Sequence, residues 1–97
     1  MLHTQLGRTG LRVSRVALGT FNFGPFADAD ASFAIMNAAL EAGINLFDTA
    51  DVYNFNLNEN SSESIIGRWL AEEPSRRRQI VLATKLYLPT RHGVNER

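Results

Sequence analysis

The stretch Gly43-Ile44-Asn45-Leu46-Phe47-Asp48-Thr49-Ala50-Asp51-Val52-Tyr53 constrains the fold more than any other part of the chain. Its short apolar run, Ile44 to Phe47, stops abruptly at polar residues. A buried parallel strand has this pattern where it delivers side chains into a site. A second run, Ile80-Val81-Leu82-Ala83-Thr84, stops in the same way at Lys85. A carboxylate, a phenol and an amine therefore fall at or just beyond the C-terminal ends of two candidate strands. In a parallel α/β sheet those ends lie on one side, where such folds place their sites.

The rest of the chain alternates strand-like and helix-like segments. Thr4-Gln5-Leu6 and Leu11-Arg12-Val13 flank Gly7-Arg8-Thr9-Gly10, which reads as a hairpin turn. Arg15-Val16-Ala17-Leu18 is the next strand, ending at Gly19-Thr20. A glycine there lets a ligand approach the backbone, or simply ends the strand. Phe21, Phe23 and Phe26 follow in a loop, where they either line a pocket or pack on the rim. Asp28 or Asp30 can cap a helix whose apolar face is Phe33, Met36 and Leu40, with Ile35 and Ala39 alongside; Gly43 ends it. Asn54 to Asn60 is rich in asparagine, which tolerates left-handed conformations, so it is a loop on the site face. Asn60 with Glu63 has the spacing of a capping box. Ser62, Ile65, Ile66, Trp69 and Leu70 then follow helical spacing until Pro74 stops the helix. Arg76-Arg77-Arg78 reads as a solvated loop. Tyr87 to Arg97, with Pro89 and Gly93, reads as another loop. The order is hairpin, then β-α-β-α-β, which gives parallel strands with right-handed crossovers.

Composition removes several function classes. The formal net charge is zero, so nothing recruits nucleic acid or an anionic membrane. There is no cysteine, which excludes disulfides, thiolate catalysis and cysteine metal sites. His3 and His92 sit far apart without a ligand cluster, and no metal is expected. No apolar run approaches the roughly 20 residues of a membrane span, and the first residues lack the features of a secretory signal. The expectation is a soluble cytoplasmic protein. Of the ten basic residues only Lys85 is a lysine. Lysine can shift its pKa on burial, whereas arginine stays charged.

Five segments carry a resemblance. Leu6-Gly7-Arg8-Thr9-Gly10-Leu11-Arg12-Val13-Ser14, Ala17-Leu18-Gly19-Thr20-Phe21-Asn22-Phe23-Gly24, Phe47-Asp48-Thr49-Ala50-Asp51-Val52-Tyr53, Ser62-Glu63-Ser64-Ile65-Ile66-Gly67 and Ala83-Thr84-Lys85 resemble the successive motifs of the aldo/keto reductases. They occur in that family's order and span nearly the whole chain. The resemblance implies a partial (β/α)8 TIM barrel, whose full form needs roughly 250 residues. Residues 1–97 would be the N-terminal part of a single barrel domain, incomplete and inactive alone. It implies NADPH as cofactor and a small aldehyde or ketone as substrate, and it puts the hairpin at the end of the barrel away from the site. In the family's roles Tyr53 is the proton donor, Lys85 tunes it and Asp48 partners the lysine. Gly19, Thr20 and Asp48 lie near the cofactor.

The chemistry suits those residue types. Reducing a carbonyl requires a hydride on carbon and a proton on oxygen. A free phenol has a pKa near 10, poorly matched to that duty near neutrality. A neighbouring ammonium stabilises the phenolate, and a carboxylate keeps the ammonium charged and in place. Taken singly, a tyrosine after a strand usually packs, a lysine there is usually solvated and an aspartate usually caps a turn. Asp51 reads as a turn residue. Three departures from the family stand out, one being that the residues gripping the dinucleotide's phosphate and adenine ends, which the family supplies mostly from its last barrel strands, are not among these motifs. The family's histidine follows the fourth strand, and His92 is not in the matching motif. The spacing from Tyr53 to Ser62-Glu63 is longer than common, with asparagines where glycines are familiar. The alternative is a non-catalytic binding or regulatory protein on the same scaffold, like the family's channel subunits.

Overall fold

The computed structural model describes residues 1–86 and 88. Two short strands, β1 (His3–Gln5) and β2 (Arg12–Ser14), pair antiparallel with Thr4 opposite Val13. Leu6 N donates to Leu11 O at 2.8 Å across the turn. Gly7 and Gly10 take φ values of +56° and +80°, a region that costs glycine no Cβ clash. The hairpin is fastened to the start of the next sheet by Asn45. Its side-chain carbonyl accepts from Ser14 N at 2.7 Å and its amide donates to Arg12 O at 2.9 Å.

The second sheet is parallel, in the order β3 (Ala17–Gly19), β4 (Leu46–Asp48), β5 (Val81–Ala83). Gly19, Asp48 and Ala83 share one row at its C-terminal edge. Successive side chains of a strand point to opposite faces. The row Leu18, Phe47 and Leu82 accordingly faces two helices, α1 (Ala29–Glu41) and α2 (Ser62–Glu72). Phe47 is fully buried there among Phe23, Met36, Ala39, Ile65, Ile66, Trp69 and Ile80. The Trp69 ring stacks on Phe47 at 5.7 Å, and its Nε1–H donates to Asn37 Oδ1 at 2.9 Å. The opposite face holds Ala17 and Gly19 exposed and Asp48 half-buried. Because Asn45 immediately precedes β4, the hairpin closes the N-terminal end of the sheet and leaves the C-terminal end open.

The strands are shorter than the apolar runs suggest, three residues each. Asp28 is the cap of α1, accepting from Ala31 N at 2.8 Å. Gly43 follows the helix at φ +85°. Met36 and Ala39 are buried as expected, but Ile35 is 40 % exposed, because it lies to one side of the inward stripe. Asn60 is not the cap of α2. Ser61 is, its hydroxyl accepting from Ser64 N at 3.3 Å, and Asn60 closes a stretch of 3-10 turns, Phe55–Asn60, kinked at Asn58 where φ is +52°. The arginine cluster is solvated at Arg77 and Arg78 but is not a plain loop. It forms a 3-10 turn, Pro74–Arg78, in which Arg76 lies 4.7 Å over the Trp69 ring and donates to Trp69 O at 2.8 Å. The expected loop at Tyr87 to Arg97, with His92, falls almost wholly outside the described residues. Among the described residues no helix is long and apolar enough to cross a membrane.

Candidate active site

Alternation along β5 decides which side chains meet. Leu82 faces the helices, so Thr84 does too, and Lys85 falls on the face of Asp48. Thr84 indeed donates its hydroxyl to Glu63 Oε2 in the first turn of α2, at 2.8 Å. Lys85 Nζ donates to both Asp48 carboxylate oxygens at 3.1 Å and to Thr49 O at 2.7 Å. Three acceptors therefore take the three ammonium protons. The pair is roughly half exposed, at 47 % for the lysine side chain and 44 % for the aspartate, so solvent screens it and its value for stability is small. Its importance is geometric: it aims the ammonium.

The ammonium is aimed at Tyr53. Lys85 Nζ lies 4.8 Å from the centre of the Tyr53 ring. Phe21 meets the other side of that ring edge-on, with centroids 5.2 Å apart. Partial desolvation pulls the Lys85 pKa down, but Tyr53 and Asp48 outweigh it, and the net effect raises the pKa above the ordinary lysine value. The lysine therefore stays charged throughout the neutral range.

Asp48, Tyr53 and Lys85 are thus brought together from two strands and a loop. Gly19 lies beside Asp48 in the same row, and a methyl group placed on it would meet nothing within 4 Å. Thr20 is different: it is fully buried, and both its backbone N–H and its hydroxyl donate to Asp48 O, at 3.1 and 3.0 Å. It holds the β3 and β4 ends together. Asp51 sits in the turn before Tyr53, and its buried Oδ1 has no hydrogen-bond partner among the described residues. His3 is remote, its Nε2 3.0 Å from Gly43 O at the hairpin end. A hollow of about 110 Å³ lined by Thr49, Glu63, Ile66, Gly67, Leu70 and Leu82 opens on the helix side, away from Asp48 and Lys85.

Several contacts were not foreseen from the sequence. Thr49 contributes a carbonyl, which any residue could supply and no motif marks. The Thr84–Glu63 bond was accessible in principle, since Thr84 must face α2 if Lys85 faces Asp48. The contacts of Asn54 and Ser62 with the Thr20 to Phe23 loop span more than 30 residues of chain, and local pattern cannot report that.

A parallel sheet backed by helices, with a carboxylate, an amine and a phenol gathered at its C-terminal edge, defines the class to which the chain belongs. Residues 15–97 match the aldo/keto reductase family, and the chain is a member of it. It is 54 % identical over 89 residues to the uncharacterized oxidoreductase YrpG of Bacillus subtilis, covering 92 % of this chain and 27 % of that one. It is 40 % identical over 84 residues to a 6-dehydroglucose reductase of Novosphingobium aromaticivorans, covering 84 % of this chain and 28 % of that one. The solved structure of the aldo-keto reductase AKR11C1 from Bacillus halodurans, in its holo form, superposes with a TM-score of 0.76 at 35 % identity. That match covers 99 % of this chain and 29 % of the other. The chain thus spans under a third of the length of these relatives, and its fold is the corresponding part of their barrel.

Proposed function

We propose that the protein reduces aldehydes or ketones to alcohols with NADPH, and that Asp48, Tyr53 and Lys85 carry the proton-transfer half of the reaction. The observation behind this reading is the Lys85 ammonium. It is fixed by Asp48 and Thr49 O at 2.7–3.1 Å and directed at the only described phenol, 4.8 Å from its ring centre.

Tyr53 gives its hydroxyl proton to the carbonyl oxygen. Lys85, held charged by Asp48, stabilises the phenolate left behind, and the phenolate is reprotonated from solvent. The residues present fit a nicotinamide ring on one count, the open floor beside Asp48 where Gly19 carries no side chain and leaves unfilled space. Gly19 and Asp48 would border that ring, and Thr20 would serve by bracing their strand ends, its hydroxyl being engaged by Asp48 O. When bound, the cofactor supplies the hydride that the carbonyl carbon takes up.

The activity is proposed for the complete fold carried by the longer relatives; the 97 residues by themselves are expected to be inactive. The test is NADPH oxidation with a simple aldehyde by the protein as its gene encodes it. Turnover lost in Tyr53→Phe is the expected result. Cofactor binding without turnover would instead favour a binding or regulatory protein on this scaffold.

A further inference from the structure

We infer that Asn54 is the positioning residue for Tyr53, doing by side-chain hydrogen bonds what the backbone of this loop cannot do alone. The inference rests on the reading of Tyr53 given above.

Asn54 follows Tyr53 directly and adopts φ +59°, ψ +32°. Few side chains tolerate that conformation, and asparagine is one of them. Its amide nitrogen then points back across the loop and donates to Phe21 O at 2.7 Å and to Phe23 O at 2.9 Å. A single NH2 group has two protons, so both are used on these carbonyls. They flank the loop that carries Phe21, whose ring meets Tyr53 edge-on. The loop is pinned a second time by Ser62. This fully buried serine donates its hydroxyl to Thr20 O at 2.8 Å, while its backbone N–H donates to Tyr53 O at 3.1 Å. Thr20 in turn is bonded to Asp48 O. Hydrogen bonds thus tie the Thr20 to Phe23 loop to Asp48 on one side and, through Asn54 and Ser62, to the turn of Tyr53 on the other.

These bonds have a physical purpose. Tyr53 sits on a turn outside any strand, and a ring on such a turn has no ladder to hold it. Its approach to Lys85 depends on where the turn lies against the Thr20 to Phe23 loop. A glycine could take the same backbone conformation, but it has no amide to bridge the two loops. Asn54 satisfies the conformation and supplies the bridge.

The test follows Lys85 in the protein as its gene encodes it, its signal identified by its loss in Lys85→Met. Lysine labelled with ¹³C at its ε-carbon gives an NMR signal for each lysine, and the carbon beside an ammonium that lies over an aromatic face is shifted upfield by the ring current. The wild-type signal should lie upfield, and Tyr53→Leu should return it to the position of free lysine. Asn54→Gly keeps the backbone conformation and removes the bridge, and Asn54→Asp keeps the shape but presents an acceptor to two carbonyls. Either folded variant should move the signal at least halfway to the free position. In a turnover assay Asn54→Gly should lower kcat about tenfold or more while KM changes little, since misplacing a reacting group by an ångström is costly.

A lysine signal unchanged in a folded Asn54→Gly or Asn54→Asp protein would overturn the inference. So would a wild-type signal at the free position. An Asn54-dependent signal in a protein without turnover would uphold the positioning role and refute the reductase reading alone.

Discussion

At the scale of single residues, the proposed reaction divides the work of Asp48, Lys85 and Tyr53 between charge, aim and proton. The raised pKa of Lys85 has a defined consequence. The Asp48–Lys85 contact is complete below the ordinary lysine value and is lost only as pH rises through the raised folded value. Its contribution is therefore constant across the neutral range and weakens in alkali. The Lys85 ε-carbon signal, followed against pH, checks this: its midpoint should lie above that of free lysine and should fall in Asp48→Asn. A midpoint at the free-lysine value would mean that Asp48 does not hold the ammonium. The places of Asp48 and Lys85 at strand ends were readable from the sequence because each closes an apolar run, but their assignment to a site came from the motifs that resemble the family's. Tyr53 had no such local signal for its orientation, since nothing in a turn dictates where a ring will point. Thr20 shows the limit of such reasoning: its place beside the site was legible, but its burial and its engagement by Asp48 O were not.

At the scale of elements, hydrophobic period placed both helices and all three parallel strands, and their ends proved the least legible part. A strand ends where its ladder partners end, and the partners lie about 30 residues away along the chain. Cap residues were similarly ambiguous, because neighbouring polar residues can each accept from a first-turn N–H. For α2 the geometry selects Ser61. Ser61→Ala should cost about 1 kcal/mol in urea denaturation, and Asn60→Ala should cost well under half of that. Equal losses would contradict the assigned cap. Gly24 marks another contact hidden from local pattern. It has φ +110°, and a Cβ there would fall on Asn60 O. Gly24→Ala should therefore destabilise, through strained backbone and through separation of the Phe23 loop from the Phe55–Asn60 segment. Trp69, fully buried between Phe47 and Arg76, joins α2 to the sheet. Trp69→Ala should cost about 3–5 kcal/mol, measured by circular dichroism because the only tryptophan is removed. A loss below 1 kcal/mol would show that α2 is not held by that ring.

At the scale of the whole molecule, one arrangement explains why these residues serve together. The hairpin, tied by Asn45 and His3, closes the N-terminal end of the sheet. Helices cover one face, and the C-terminal edge is left to Gly19, Asp48 and Lys85. In the proposed reaction Asp48, Tyr53 and Lys85 act as a unit. Groups that act as a unit lose catalysis together, so their removal is far from additive. The measurement that tests this most directly is aldehyde reduction by one series of enzymes: wild type, Asp48→Asn, Tyr53→Phe, Lys85→Met and the triple variant. The account predicts that Tyr53→Phe loses a factor of about 10² to 10⁴, the usual contribution of a positioned proton donor, and that the triple variant loses scarcely more. Wild-type rates in Tyr53→Phe, or losses that multiply across the three sites, would contradict it.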